Sequence, residues 1–296
     1  MTKPAKKLRP VTIVVPVYGD WPSLNECISS LKKHVDNSRH KVMLVNDCGP
    51  EADAMEHNIL KAINGCRNFE YHRNPKNLGF VKTCNRAALE LDKSDNDILL
   101  LNSDTKVTKG FLDAMLTVLY SSSKIAAVCP RSNNATIFSV PLGDTDNNTY
   151  PLKDAYKAYR RIRDKLPERY LSPIAHGFCM LIRRSVIDKY GLFDEVYGRG
   201  YGEENDFCMR VLKQGYSCAV ANRAFVFHFK GKSFSSKERD ALVAKNEKVL
   251  KKRYPEYEKL VKEYIDNMLD PAEWLAAPKE SGIKQRLSRL AKTFSR

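Results

Sequence analysis

The chain has 296 residues, 43% of them hydrophobic, and carries 50 Lys+Arg against 35 Asp+Glu, a formal charge of +15. This composition excludes disordered and collagen-like classes, and the length allows two domains or one large α/β domain with additions. Nucleic acid is disfavoured as a partner: nine of the fifteen excess charges sit in residues 1–9 and 279–296, and no RRM, KH or zinc-finger signature accompanies them.

In chain order, Val11–Val15 is a β-branched run ended by Pro16, and Trp21, Leu24, Cys27, Ile28, Leu31 and Val35 then recur at helical spacing. Val42–Val45 predicts a second strand. Met55, Ile59, Ala62 and Ile63 mark one helix, and Phe80, Cys84, Ala87, Ala88 and Leu91 another. Ile98–Leu101 is a fully apolar strand, followed by a helix through Leu112, Met115, Leu116 and Leu119 and a strand at Ile125–Val128. Buried strands alternating with helices predict an α/β fold on a mainly parallel, Rossmann-like sheet.

From 131 to 175 the periodicity fails, and a Ser/Asn/Asp/Pro-rich stretch leads into a basic helix-like segment, Lys153 to Arg169. A segment this long in a compact α/β protein is expected to be a loop near the site. Strands at Phe178–Ile182, Cys218–Val220 and Phe225–Phe229 and a short helix at Glu204–Leu212 follow, and the chain beyond 235 reads as helical and charged. The last segment places Ile283, Leu287, Leu290, Ala291 and Phe294 on one side and Lys/Arg elsewhere, the pattern of a helix that lies on anionic lipid. Eight cysteines are scattered singly with no zinc spacing, which predicts reduced, mostly buried thiols in a cytosolic protein. No signal-peptide h-region precedes the first apolar run, and that run falls far short of the ~18 residues that span a bilayer.

Ligands of an open parallel sheet bind outside the carboxyl ends of its strands. Three such ends carry polar clusters: Pro16-Val17-Tyr18-Gly19-Asp20, Asn46-Asp47-Cys48-Gly49 and Asn102-Ser103-Asp104-Thr105. Neither G-x-G-x-x-G nor a P-loop occurs, which disfavours dinucleotide redox chemistry and P-loop hydrolysis. Asp104 puts a hard oxygen ligand where a divalent ion could bridge a diphosphate. Glu203, Glu204 and Asp206 gather three carboxylates at a helix start behind the glycine-rich stretch Gly198–Gly202, a position the helix dipole favours with or without catalysis.

Six ordered segments, VTIVVPVYGDWPSLNECISSL, VNDCG, NPKNLGFVKTCNRA, LLLNSDT, HGFCMLIRRS and GEENDFCMR, resemble the inverting family 2 glycosyltransferases of GT-A fold. The nearest likeness is to the bacterial rhamnosyl- and galactofuranosyltransferase-like enzymes of surface polysaccharide synthesis. The resemblance implies that Pro16, Val17, Tyr18 and Asp47 frame the nucleotide base, with Asp47 accepting from a pyrimidine N3–H. It places Asn77 and Gly79 near the nucleotide, Arg73 within reach of phosphate, and Asn102, Ser103 and Asp104 at the donor sugar-diphosphate. Asp104 matches the last acid of the family's D-x-D motif, but Asn102 stands at its first position. His228 matches a histidine that completes the metal site in some relatives, so Asp104 and His228 are the candidate Mn²⁺ or Mg²⁺ ligands. Glu204 matches the catalytic base, with Glu203, Asp206 and His176 as candidate acceptor-side residues and Lys230, Lys232 and Ser233 on a following loop.

These expectations divide the chain into a basic tail (1–9), a GT-A domain (10–235) with a nucleotide-sugar half to residue 130 and an acceptor half from 131, a helical extension (236–278) and a basic amphipathic tail (279–296). The partners expected are a nucleotide-diphosphate sugar, a glycan or lipid-linked acceptor, and an anionic membrane surface at the cytoplasmic face. A catalytically silent glycan-binding scaffold and a sugar-nucleotide pyrophosphorylase are the rivals; the second needs a Gly-rich basic loop that PVYGDW does not supply.

Overall fold

A computed structural model of the chain describes residues 9–140, 152–229 and 236–267. The elements are β1 (Val11–Val17), α1 (Trp21–His34), β2 (Lys41–Asn46), α2 (Ala52–Ile63), β3 (Phe69–Arg73), α3 (Phe80–Asn85), which runs on as a π-helix over Arg86–Leu91, β4 (Asp97–Leu101), β5 (Thr105–Val107), α4 (Phe111–Tyr120), β6 (Ile125–Arg131), α5 (Leu152–Ile162), β7 (Arg169–Ser172), β8 (Cys179–Ile182), α6 (Arg184–Tyr190), α7 (Glu203–Leu212), β9 (Ser217–His228), α8 (Ser236–Arg253) and α9 (Tyr257–Asn267). Residues 1–8 of the first tail, residues 268–296 and the segment with Lys230, Lys232 and Ser233 lie outside the described residues.

One sheet runs β3-β2-β1-β4-β8-β6-β9-β5, with β7 also on β9. The parallel arrangement holds across β3, β2, β1 and β4. Beyond β4 the sheet is mixed: β8 is antiparallel to both β4 and β6, and β9 is parallel to β6 but antiparallel to β5 and β7. A four-residue buried run such as Cys179–Ile182 reads as apolar in either direction, so its pattern does not carry strand polarity. The edge segments FEYHR, TKV and RYLS, which became β3, β5 and β7, are short and mix polar with apolar residues, and no strand is expected there from pattern alone.

The strands expected at 218–220 and 225–229 are one strand, β9. Its register with β6 jumps between Ala221↔Pro130 and Phe225↔Arg131, so Asn222, Arg223 and Ala224 form a bulge that bends the strand without ending it. Asn222 pins the bulge: its Oδ1 accepts from Arg131 Nε at 2.8 Å, and its Nδ2 donates to the Pro167 carbonyl at 2.9 Å.

The helices pack the faces their periodicity selects. In α1, Leu24, Cys27, Ile28 and Leu31 are buried, and Asp20, in the left-handed region at φ 55°, caps the first turn through Ser23 N. The extension is docked on the sheet domain: Asn246, Leu250, Tyr254 and Val261 of α8, α9 and the turn between them are all buried. Arg253 of α8 reaches Asp194 at 2.8 Å and Asp206 at 3.0 Å. All eight cysteines are free thiols, six of them buried. Among the described residues no helix is long and apolar enough to cross a membrane.

Candidate active site

The carboxyl ends of β1, β2 and β4 open on one side, and the polar clusters that follow them meet there. Asp47, directly after β2, is 5% exposed, and its backbone N–H donates to the Val17 carbonyl at 2.7 Å. Its carboxylate accepts from Leu78 N (2.8 Å), Gly79 N (2.9 Å) and Asn74 Nδ2 (2.8 Å), so it holds the Asn77–Gly79 turn against the end of β2. Asn77 tightens the same turn by accepting from Gly79 N through its own Oδ1. Gly49 lies directly on Tyr18: a Cβ added there would fall 1.7 Å from the Tyr18 carbonyl oxygen. The Pro16-Val17-Tyr18 segment, Asp47 and Gly79 are thus one fixed wall.

Gly79 continues the wall to the acidic helix. It has φ +84°, and a Cβ there would lie 3.4 Å from the Arg199 backbone, so this turn packs closely on the glycine-rich loop. That loop leads through Gly200 and Gly202 into α7, whose first residues are Glu203 and Glu204. One oxygen of each, Oε2, is buried with no hydrogen-bond partner among the described residues. Burial raises both carboxyls above the usual carboxylate range; for Glu203 the charge of Glu204 adds to the rise, while backbone N–H groups at the helix start hold Glu204 down in part. Both are therefore harder to ionise than an exposed glutamate, and a charge on one opposes a charge on the other. Gly177 faces the Glu204 side chain, and a Cβ there would come within 3.4 Å of Glu204 Cβ and Cγ.

Next to Gly177, His176 accepts at Nδ1 from Phe178 N (3.4 Å), which leaves Nε2–H toward Thr136 Oγ1 (3.4 Å). Burial, and secondarily His228, push its pKa down to about 3, so it is a neutral imidazole at physiological pH. Phe178 stacks on His228 with ring centroids 4.8 Å apart. His228 Nδ1 is 2.8 Å from the Asn134 carbonyl, which only accepts, so the proton resides on Nδ1 and the lone pair on Nε2. That Nε2 lies 3.5 Å from Asp104 Oδ1. Antiparallel pairing of Thr105 with His228 fixes the approach, and Phe229 N donates to the Asp104 carbonyl at 2.8 Å. A continuous rim runs from Asp47 through Gly79, Gly200, Glu203, Glu204, Gly177, His176 and His228 to Asp104.

The model of "Glycosyl transferase family 2" matches residues 12–191. The chain belongs to that family. The matched region ends before α7, so the acidic helix and His228 rest on the geometry above. Uncharacterized proteins of Mycobacterium tuberculosis and Mycobacterium bovis are each 28% identical over 137 residues, 44% of this chain and 46% of theirs. The chain thus matches under half the length of these curated relatives. The fold is like that of GalNAc-T7 solved with UDP, GalNAc and Mn²⁺ (TM-score 0.65, 14% identity, 97% of this chain and 55% of that one). It is also like that of a mannosyltransferase from Pyrobaculum calidifontis solved with GDP-Man and Mn²⁺ (TM-score 0.62, 15% identity, 98% and 81%). These likenesses show a GT-A fold.

In this family 2 chain the donor set fits a divalent ion in part. Asp104 offers a carboxylate oxygen and His228 an oriented imidazole lone pair, a suitable pair for Mn²⁺. Among the described residues no group of three or more His, Cys, Asp and Glu side chains is placed to hold a metal ion. Asn102 directs its backbone elsewhere: its N–H bonds the Phe178 carbonyl and its carbonyl accepts from Thr105 Oγ1. Ser103 lies between Asn102 and Asp104, partly exposed.

Three expected site residues are engaged within the fold: Asp47, whose carboxylate is taken by Asn74, Leu78 and Gly79 where a pyrimidine N3–H was expected, Arg73 and Asp206. Arg73 Nη1 bonds Asp53 (2.6 Å) and Glu56 (2.7 Å) of α2, which neutralises the cation expected to reach phosphate. Asp206, expected to bind acceptor, is 1% exposed; its oxygens take Tyr197 Oη, Arg253 Nη1 and the more distant Arg210 Nε, so it locks α8 onto α7. Other residues escaped the sequence reading. Asn74 links Asp47 to Thr83 and to Arg86 Nη1. Asn134 orients His228. Tyr201, at φ 68°, stands two residues before Glu203 in the glycine-rich loop, and burial raises the pKa of its phenol, opposed by the Arg239 charge and aided by Glu203 and Asp104. An aromatic set between glycines in GRGYG was the one visible signal for it.

Proposed function

We propose that the chain is an inverting glycosyltransferase that moves a sugar from a nucleotide-diphosphate donor to a saccharide or lipid-linked glycan acceptor in surface polysaccharide synthesis. The carrying observation is Glu204: a carboxylate with an unpaired, desolvated oxygen, opposite the nucleotide wall and on the same rim as Asp104 and His228. In the reaction an acceptor hydroxyl attacks the anomeric carbon as the bond from that carbon to the diphosphate oxygen breaks. The hydroxyl proton passes to Glu204, and the nucleoside diphosphate leaves with the bonding electrons. A single in-line displacement inverts the anomeric centre. Burial serves this role, because a carboxylate raised above its ordinary range is a stronger base.

Asp47 and the Tyr18–Gly49 contact hold the base pocket open and rigid before the donor arrives. Glu203 and the neutral His176 border the acceptor side. A divalent ion held by Asp104 and His228 would supply Lewis-acid stabilisation of the diphosphate charge. The rhamnosyl- or galactofuranosyl-like branch and membrane attachment through 279–296 complete the proposal.

The test is turnover of UDP-, GDP- and dTDP-sugars, dTDP-rhamnose and UDP-galactofuranose included, with product anomeric configuration read by NMR. Transfer with inversion, abolished in Glu204→Gln while nucleotide binding persists, is the expected result. Retention of configuration, or full turnover by Glu204→Gln, overturns the assignment.

A further inference from the structure

Helix α5 presents a cationic stripe whose use the transfer chemistry does not explain. Its inner face is fully committed. Ala155, Tyr159 and Ile162 are buried, Tyr159 Oη bonds the Asn222 carbonyl at 3.2 Å, and Tyr156 lies 5.4 Å from the rings of both Phe225 and Phe227 on β9. Its outer face carries Lys153, Lys157, Arg160 and Arg161, at offsets of four, seven and eight residues from the first, all exposed. Lys165 is exposed just beyond. None of the five makes an ion pair with a described residue. Arg163 does, pairing with Asp164 at the end of the stripe. Between Leu152 and Ser172 the chain holds seven basic and three acidic residues.

Where the stripe lies gives it meaning. Tyr156 packs on Phe225 and Phe227, so the helix covers the C-terminal part of β9 on the strand face opposite His228.

We infer that α5 is a docking face for an anionic lipid bilayer, holding the protein at the headgroup layer. A straight helix of eleven residues, about 16 Å long, presents its charges in one line, which suits a flat surface. Single-stranded nucleic acid fits less well, because both α5 tyrosines are turned into the protein and the outer face offers no ring for base stacking. The inference rests on the transferase reading only for its purpose, and its test needs no turnover. It is also separate from residues 279–296.

The experiment is co-sedimentation of the full-length protein with phosphatidylcholine vesicles, with and without phosphatidylglycerol. It compares wild type, Lys157→Glu/Arg160→Glu/Arg161→Glu, the matching triple Gln variant, and a full-length tail variant with Lys284, Arg286, Arg289 and Lys292 changed to Gln. Binding of UDP and GDP by calorimetry serves as the folding control. We expect binding that depends on phosphatidylglycerol, a loss of at least tenfold in the Glu variant, a smaller loss in the Gln variant, and unchanged nucleotide affinity. Equal binding by wild type and the Glu variant, or complete loss in the tail variant with α5 intact, overturns the inference. So does a wild type that prefers an oligonucleotide to the anionic vesicles. Absence of nucleotide binding in every protein, with the vesicle pattern intact, would remove the transferase reading and leave the docking face standing.

Discussion

Asn246, buried in the middle of α8, donates its side-chain amide to the carbonyl oxygens of Gly200 at 2.7 Å and Tyr197 at 3.0 Å. A helix of the extension thereby holds both ends of the glycine-rich loop that touches Gly79 and leads into Glu203. Asn246→Ala removes two hydrogen bonds and leaves the Gly200 carbonyl unpaired, while the Tyr197 carbonyl keeps its bond from Gly200 N, and should cost about 1–3 kcal/mol of stability. Asn246→Asp should cost more, because a carboxylate cannot donate and would face two carbonyls with a charge. Thermal melts of the three proteins check the order. Donor KM should also rise more than kcat falls, since the loop shapes the pocket and does not touch the transferred proton.

Gly49→Ala has a different cause. A methyl group 1.7 Å from the Tyr18 carbonyl must displace the β1 end from the β2 end. Overpacking of this kind costs about 1–3 kcal/mol, and here it falls on the wall of the base pocket. Nucleotide affinity, read by calorimetry, should drop by tenfold or more, as about 1.4 kcal/mol per tenfold implies. An Ala variant with wild-type affinity would remove Tyr18 from the pocket.

The pH dependence of turnover should identify which acid holds the proton. Glu204 must be ionised to accept the hydroxyl proton, and its folded-state pKa lies above the ordinary carboxylate value. Activity should therefore be full above that raised pKa and fall as pH drops through it, giving an acid limb at higher pH than an exposed glutamate would. With Glu203 neutral while Glu204 carries the charge, Glu203→Gln, a neutral isostere, would leave the limb in place. A clear downward displacement in Glu203→Gln would show that Glu203 is charged in the working enzyme.

Removal of either candidate ligand should raise the metal requirement. In Asp104→Ala and His228→Ala, the Mn²⁺ concentration for half-maximal donor binding should increase on the order of tenfold or more. Asn134 bonds His228 through its backbone carbonyl, so Asn134→Ala should leave that requirement nearly unchanged. Unaltered metal dependence in both ligand variants would reject the pair.

Much of this arrangement was legible in the sequence, and the parts that were not share a physical reason. The apolar strands Val11–Val17, Lys41–Asn46 and Asp97–Leu101 and the stripe Leu24–Cys27–Ile28–Leu31 declare themselves because burial leaves a periodic trace. The GEEND cluster announced its helix start through charge and glycine. Edge strands β3, β5 and β7 left no such trace, since half their side chains face water. Nor does composition reveal which polar residues face inward. Arg73 and Asp206 look like ligand-binding groups in the sequence and are consumed by Asp53, Glu56, Tyr197 and Arg253, while Asn74, Asn134 and Asn246 look like loop or surface residues and hold the site together.

The bulge at Asn222–Ala224 sets which face of β9 every later residue occupies. With a side-chain period of two, losing one residue of that offset would turn His228 away from Asp104 while Phe225 and Phe227 still found apolar cover. A population misfolded in this way would be compact, with ordinary helix content and intact nucleotide wall, yet blind to manganese. Purity by size and circular dichroism is then no guarantee of competence. With Asp104 and His228 as the proposed ligands, the fraction of molecules protected by manganese against unfolding would count those in which Arg131 and Asn222 found each other.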